Sequence, residues 1–165
     1  AGGGGGQGEG RAEVAGSRVR VGGRPARQGG AHGDPGLGVA LVEGGSVEVC
    51  AGLAVRVEET AAEHVLQELR ARELISSAYV EKWVDLPLAD GRIVRAVTYV
   101  VDRDHAQYCR YGLDQQAQII AGAVGGRGPN PEYLFKTAEI LHDLGIPDPQ
   151  LDYLAEKVAN LTNCA

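Results

Sequence analysis

The sequence predicts an α+β domain on three observations. A strand-period stretch opens at Val47, two β-rich runs flank an Asp-Gly turn between residues 79 and 101, and three helical segments close the chain without regular βαβ alternation. At 165 residues the chain is one domain's worth, with a hydrophobic fraction of 44% and a charged fraction of 23% that are ordinary for a globular protein. Its 25 glycines are about twice the usual share.

Seventeen of those glycines fall in residues 1–45, where apolar residues keep no sustained period until about Leu37 and no aromatic residue occurs. Such a stretch supplies few side chains to offset the cost of ordering, about 1 to 2 kcal/mol per residue. Residues 1–36 are therefore expected to be a Gly/Arg-rich low-complexity or disordered segment, with the domain proper spanning 37–165. Gly, Ala, Arg and Pro have GC-rich codons and the chain holds no Met, so a truncated or frameshifted start is a further expectation for this segment. Five arginines face two glutamates in the first 30 residues. No RGG repeat or aromatic residue accompanies them to make a nucleic-acid arm.

From Val47 to Val57 apolar and polar or small residues alternate, as in a strand with one buried face. Thr60 and Glu63 read as a T-x-x-E capping box for a helix that carries Val65, Leu66 and Leu69 on one side and ends near Glu73. Tyr79–Leu86 and Ile93–Val101 should pair as an antiparallel hairpin. Asp90-Gly91 supplies its positive φ angles, Trp83, Val97, Tyr99 and Val101 contribute buried faces, and Pro87 lies outside the ladder. Residues 102–113 read as an ordered surface loop. Helices follow from Asp114 to about Val124, from Asn130 as cap to Gly145, and from Asp148-Pro149 with Leu151, Leu154, Val158 and Leu161 on one face.

Several kinds of chemistry find no support. Gly2–Gly6 and the Gly125–Gly128 stretch lack the G-K-[ST] ending of a phosphate loop. The four histidines never stand at the i, i+4 spacing of a helical metal site, and Cys50, Cys109 and Cys164 form no C-x-x-C pair, so no metal is expected. A net charge of −6 disfavours nucleic acid and acidic membranes as partners, and no apolar run approaches the length of a membrane span. A small-molecule partner and a cytoplasmic location are the expectation. Carboxylates and tyrosines remain. Among them Glu73 stands where the helix dipole disfavours an acid, and the residues alone leave open whether it is more than a solvated charge beside arginines.

The runs VLQELRARELISSAYVEKWVDLPLADGRIVRAVTYVVDRDHAQY and QAQIIAGAVGGRGPNPEYLFKTAEILHDLGIPDPQL resemble the bacterial ChaC-like branch of the glutathione-specific gamma-glutamylcyclotransferases. The resemblance covers about residues 47–161. It rests on Arg72-Glu73 after a helix, the tyrosine beyond it, TYVVDRDHAQY, and Gly128-Pro129-Asn130 followed by Glu132-Tyr133-Leu134. It implies a small mixed β-barrel with C-terminal helices and the cleavage of glutathione to 5-oxoproline and cysteinylglycine, without metal or organic cofactor. It also implies Glu73 as the catalytic carboxylate, with Tyr108 and Tyr133 contacting substrate. The Gly-Tyr-Gly-Ser-Leu that opens the family's domain, a nest of N–H groups for the γ-glutamyl moiety, is not in this sequence. The first strand is therefore expected to be missing, and the alternative reading is an inactive or truncated member that acts at most as a binding module.

Overall fold

The computed structural model describes residues 9–15, 17–23, 36–43, 49–125 and 128–163. In chain order they form β1 (Glu9–Ala15), β2 (Ser17–Gly23), β3 (Gly38–Glu43), β4 (Val49–Val55), α1 (Glu59–Glu73), β5 (Tyr79–Pro87) and β6 (Ile93–Val101). Then come α2 (Leu113–Gly122), β7 (Val124–Gly125), β8 (Gly128–Pro129), α3 (Asn130–Asp143) and α4 (Pro149–Asn163). The α+β class holds. The strands pair two by two, as β1–β4, β2–β3, β5–β6 and β7–β8, and no closed barrel is formed among the described residues.

Two compact units divide the chain, Ala1–Val19 with Leu41–Arg103 and Arg20–Ala40 with Asp104–Ala165. In the first, β1 runs antiparallel to β4 from Glu9 opposite Val55 to Ala15 opposite Val49, and β5 runs antiparallel to β6. Its buried apolar residues include Val42, Ala78, Leu86, Val100 and Val101. In the second, α2, α3 and α4 pack on one another around Ile120, Leu134, Leu151, Leu154 and Val158, all nearly inaccessible to solvent.

The strand backbones of residues 9–15 and 17–23 depart from the expectation of a segment with little order. A ladder is built from main-chain N–H and C=O groups, which a Gly/Arg-rich stretch possesses as fully as any other. Composition was therefore a poor guide there. The rest of residues 1–35 lies outside the described residues, as does Val47 at the expected start of β4.

Helix α1 ends at Glu73 as expected, but the capping box is not formed. The helix starts at Glu59 with Glu58 as its N-cap, so Thr60 falls inside the first turn, and the Glu63 carboxylate accepts a bond from Gln67 Nε2 at 3.0 Å. Asn130 likewise does not cap α3. Pro129 holds that position, and the Asn130 side chain is buried in other bonds. At α4 the expected cap is present, with Asp148 Oδ1 accepting from the N–H groups of Gln150 at 2.9 Å and Leu151 at 3.0 Å. Gly145 closes α3 with φ at 67°, while Leu161 at the far end of α4 is 42% exposed rather than core.

The two runs pair as the expected antiparallel hairpin, and the register sets Tyr79 opposite Val101 and Leu86 opposite Val94. Its turn differs in detail. Leu88 N–H donates to Arg92 C=O at 2.8 Å, Gly91 N–H donates to Leu88 C=O at 3.0 Å, and Gly91 alone has positive φ, at 86°. This is a three-residue loop with a left-handed glycine instead of a two-residue Asp-Gly turn. Pro87 does enter the ladder, opposite Ile93. Antiparallel pairs alternate between bonded and non-bonded, and Leu88–Arg92 is a bonded one. Pro87–Ile93 is therefore a non-bonded pair in which proline's missing N–H costs nothing.

Between α1 and β5 the chain turns through Ser77, the one non-glycine with positive φ (55°) among the described residues. A Cβ in the left-handed region costs about 1 to 2 kcal/mol. Ser77→Gly is expected to raise the midpoint of thermal unfolding by a few degrees, offset in part by glycine's greater freedom in the unfolded chain. Differential scanning calorimetry of the variant beside the parent checks this.

Candidate active site

Glu73 is the last residue of α1. Arg70 and Arg72 in the same turn suit the negative end of the helix dipole, whereas an acid there is disfavoured unless it is paired. Arg72 Nε lies 2.8 Å from Glu73 Oε1, and the Glu73 side chain is 29% exposed against 71% for Arg72. A carboxylate in this setting is reachable by a small molecule yet partly shielded from water.

Beside it, the face of the β5–β6 hairpin that carries the odd-numbered residues gathers a second carboxylate. Arg70 grips Glu81 with both ends of its guanidinium, Nε to Oε2 at 2.7 Å and the terminal nitrogen to Oε1 at 2.8 Å. The Tyr99 hydroxyl donates to Glu81 Oε2 at 3.2 Å. Tyr99 stands directly opposite Glu81 in a non-bonded pair, where facing side chains come closest. The same face carries Trp83, which at 46% exposure is not the core residue expected. The alternating strand directs Leu86 and Val100 to the buried side and Trp83 to the other.

The Arg70 bond, aided by that of Tyr99, holds the Glu81 carboxyl down at about 2 from its ordinary 4.5. Tyr99 is pushed up, by burial first, then by its bond to Glu81 and the charges of Glu81 and Glu73, so it remains a hydroxyl donor through the neutral range. A carboxyl depressed on folding contributes stability that is present above its unfolded value and lost as pH falls through the folded one. The protein is therefore expected to lose stability between about pH 4.5 and pH 2. Glu81→Gln should flatten that part of a plot of denaturation midpoint against pH.

Tyr108 and Tyr133 belong to the other unit. Tyr108 is half-buried in a turn closed by its N–H to His105 C=O at 2.9 Å, with the Arg110 guanidinium 5.7 Å from its ring centre. Tyr133, 47% exposed in the first turn of α3, accepts a long bond from Val39 N–H at 3.4 Å. Asn130, three residues earlier, clamps Leu37, two residues before Val39. Its Oδ1 accepts from Leu37 N–H at 2.7 Å, and its Nδ2 donates to Leu37 C=O at 3.0 Å. Gly36 lies so near that a Cβ there would meet Asn130 Oδ1 at 2.4 Å.

Sequence reasoning singled out Glu73, Tyr108 and Tyr133 and passed over Glu81, Arg70 and the Asn130 clamp. A signal for Glu81 was present, because a hairpin centred on Asp90 sets residue 81 against residue 99. For Asn130 there was none, since its partner Leu37 is 93 residues away.

The family model of ChaC-like proteins matches residues 10–161. The chain is 38% identical over 140 residues to the glutathione-specific gamma-glutamylcyclotransferase of Escherichia coli (strain K12), a match covering 82% of this chain and 58% of that protein. It is 29% identical over 134 residues to gamma-glutamylcyclotransferase 2-3 of Arabidopsis thaliana, covering 77% of this chain and 67% of that one. The chain thus spans little more than half the length of its bacterial relative. Two crystal structures of a yeast gamma-glutamyl cyclotransferase specific to glutathione share the fold, with TM-scores of 0.77 and 0.75 at 19% identity. They cover 92% and 93% of this chain and 87% and 90% of their own.

Proposed function

The chain belongs to the ChaC-like protein family, and on that premise we propose that it is a gamma-glutamylcyclotransferase that converts glutathione to 5-oxoproline and cysteinylglycine, with Glu73 as its proton carrier. The observation that carries the reading is the half-shielded Glu73 carboxylate at the end of α1, within the stretch matched to relatives that bear this activity in their names.

The chemistry asks little of the protein. Glu73 takes a proton from the substrate's α-ammonium, and the freed amine attacks the γ-carbonyl carbon of the same glutamyl group. A five-membered ring closes as the new C–N bond forms. The old amide C–N bond then breaks, its electron pair goes to the cysteinyl nitrogen, Glu73 returns the proton there, and the second proton shed by the ring nitrogen ends on the released amine, which leaves as an ammonium. No water is consumed. Holding the glutamyl chain in the folded, near-attack shape supplies much of the rate, and a positioned proton carrier contributes typically 10²–10⁴-fold more.

Tyr108 and Tyr133 are assigned to substrate contact on the same premise, as hydroxyl donors to the glutathione carboxylates. The small mixed β-barrel that the family resemblance implies is part of the proposal too. Among the described residues no helix is long and apolar enough to cross a membrane. A cytoplasmic setting, where glutathione is held reduced, fits the substrate. Incubating the purified protein with glutathione and measuring 5-oxoproline and cysteinylglycine tests the reading. Equimolar release of the two products supports it. Binding of glutathione without release would make the chain a binding module instead.

A further inference from the structure

We propose that Arg70, Glu81 and Tyr99 are positioning residues for Glu73, fixing the last turn of α1 against the hairpin so that its carboxylate is presented in one place. The proposal rests on the reading of Glu73 as the proton carrier. Arg70 lies three residues before Glu73, nearly one helical turn back, so anchoring it limits the swing of the helix end that carries the acid. The anchor is a two-point fork, which fixes direction as well as distance, at 2.7 and 2.8 Å. Its carboxylate is the better buried partner, with Glu81 at 17% exposure and Arg70 at 42%. The Tyr99 hydroxyl adds a third contact to Glu81 from the opposite strand.

The chain itself joins α1 to β5 through the turn at Ser76–Ala78, whose bonds are longer, at 3.1 Å for Ser77 N–H to Leu74 C=O and 3.4 Å for Ala78 N–H to Ser76 Oγ. The cluster also sorts the two acids by role. Glu81 spends both oxygens on Arg70 and Tyr99, whereas Glu73 is paired with its own exposed neighbour Arg72, from which an incoming ammonium group can displace it. Reach to a proton within hydrogen-bond distance is what a general base needs, and misplacement by about 1 Å costs on the order of 100-fold.

The test compares glutathione turnover by the full chain with that of Glu81→Gln, Arg70→Met, the exchanged pair Arg70→Glu with Glu81→Arg, and Glu73→Gln alone and combined with Glu81→Gln. All are assayed well below their unfolding midpoints. Glu81→Gln and Arg70→Met are expected to lower kcat by roughly 10- to 100-fold with KM within about twofold. The exchanged pair should recover a large part of the loss, and Glu81→Gln should add nothing once Glu73 is gone. A tyrosine absorbance titration should show one phenol ionising at lower pH in Glu81→Gln, as Tyr99 loses the negative charge beside it while the amide oxygen can still accept its bond. Wild-type kcat in Glu81→Gln and Arg70→Met, with Glu73→Gln inactive, would overturn the positioning role and leave Glu73 in place. Full turnover by Glu73→Gln would overturn both. Losses in KM alone, or equal losses from Glu81→Gln with and without Glu73, would show that the cluster acts on binding or folding and overturn the proposal as well.

Discussion

Glu73→Gln is expected to lower the rate of 5-oxoproline formation from glutathione by at least about 100-fold, the usual loss when a general acid/base is removed. The amide keeps the size and polarity of the acid and can still accept a bond from Arg72, so thermal stability should move by no more than about 1 to 2 °C. Kinetics and calorimetry on one preparation separate the two effects. Fall of kcat with an unchanged unfolding midpoint marks a proton carrier; parallel loss of both would mark a structural charge. A variant with parental turnover would remove Glu73 from the mechanism.

The largest effect on stability is expected at Asn130. Its amide serves both polar groups of the Leu37 backbone, and both residues are buried, Asn130 at 8% and Leu37 at 2% exposure. Asn130→Ala would leave a buried donor and a buried acceptor without partners, at about 1 to 3 kcal/mol each. Water entering the vacated space would reduce that sum. A loss of about 2 to 4 kcal/mol, or roughly 5 to 15 °C in Tm, is the expected outcome. Gly36→Ala offers a second approach to the same contact, since its new methyl would meet Asn130 Oδ1 at 2.4 Å. It should destabilise by about 1 to 3 kcal/mol by overpacking. The double variant should lose less than the sum, because removing the amide also removes the clash. Strict additivity in urea denaturation would show that the two residues do not share this contact.

What could be read from the sequence follows from how far each determinant reaches along the chain. The β5–β6 hairpin and the helix ends at Glu73, Asp148 and Gly145 depend on neighbours within a few residues, and all were legible. The failures came where a local signal met a competing partner. Thr60 and Glu63 have the spacing of a capping box, yet starting the helix two residues earlier, with Glu58 as N-cap, puts Thr60 past the cap. Asn130 has the chemistry of a cap, but its amide is used on Leu37. Strand β1 was invisible because its pairing with β4 draws on backbone groups that no side-chain pattern reports. At the site, Glu73 became a candidate through its odd place at a helix end and through family resemblance. The fork that Arg70 makes with Glu81 needed the hairpin folded back beside the helix before it could be seen.

The three-residue loop between Leu88 and Arg92 governs more than a change of direction. It sets Glu81 opposite Tyr99 and Asp85 opposite Arg95, and puts Leu86 and Val100 on the sheltered side. Side chains alternate with period two, so one residue gained or lost there would shift one strand's pairing frame and turn polar residues toward the interior. Loop length, though remote from Glu73, is therefore under the same constraint as the site. Among related chains, substitutions in this loop should be common and single-residue insertions or deletions rare, with length changing by pairs when it changes at all.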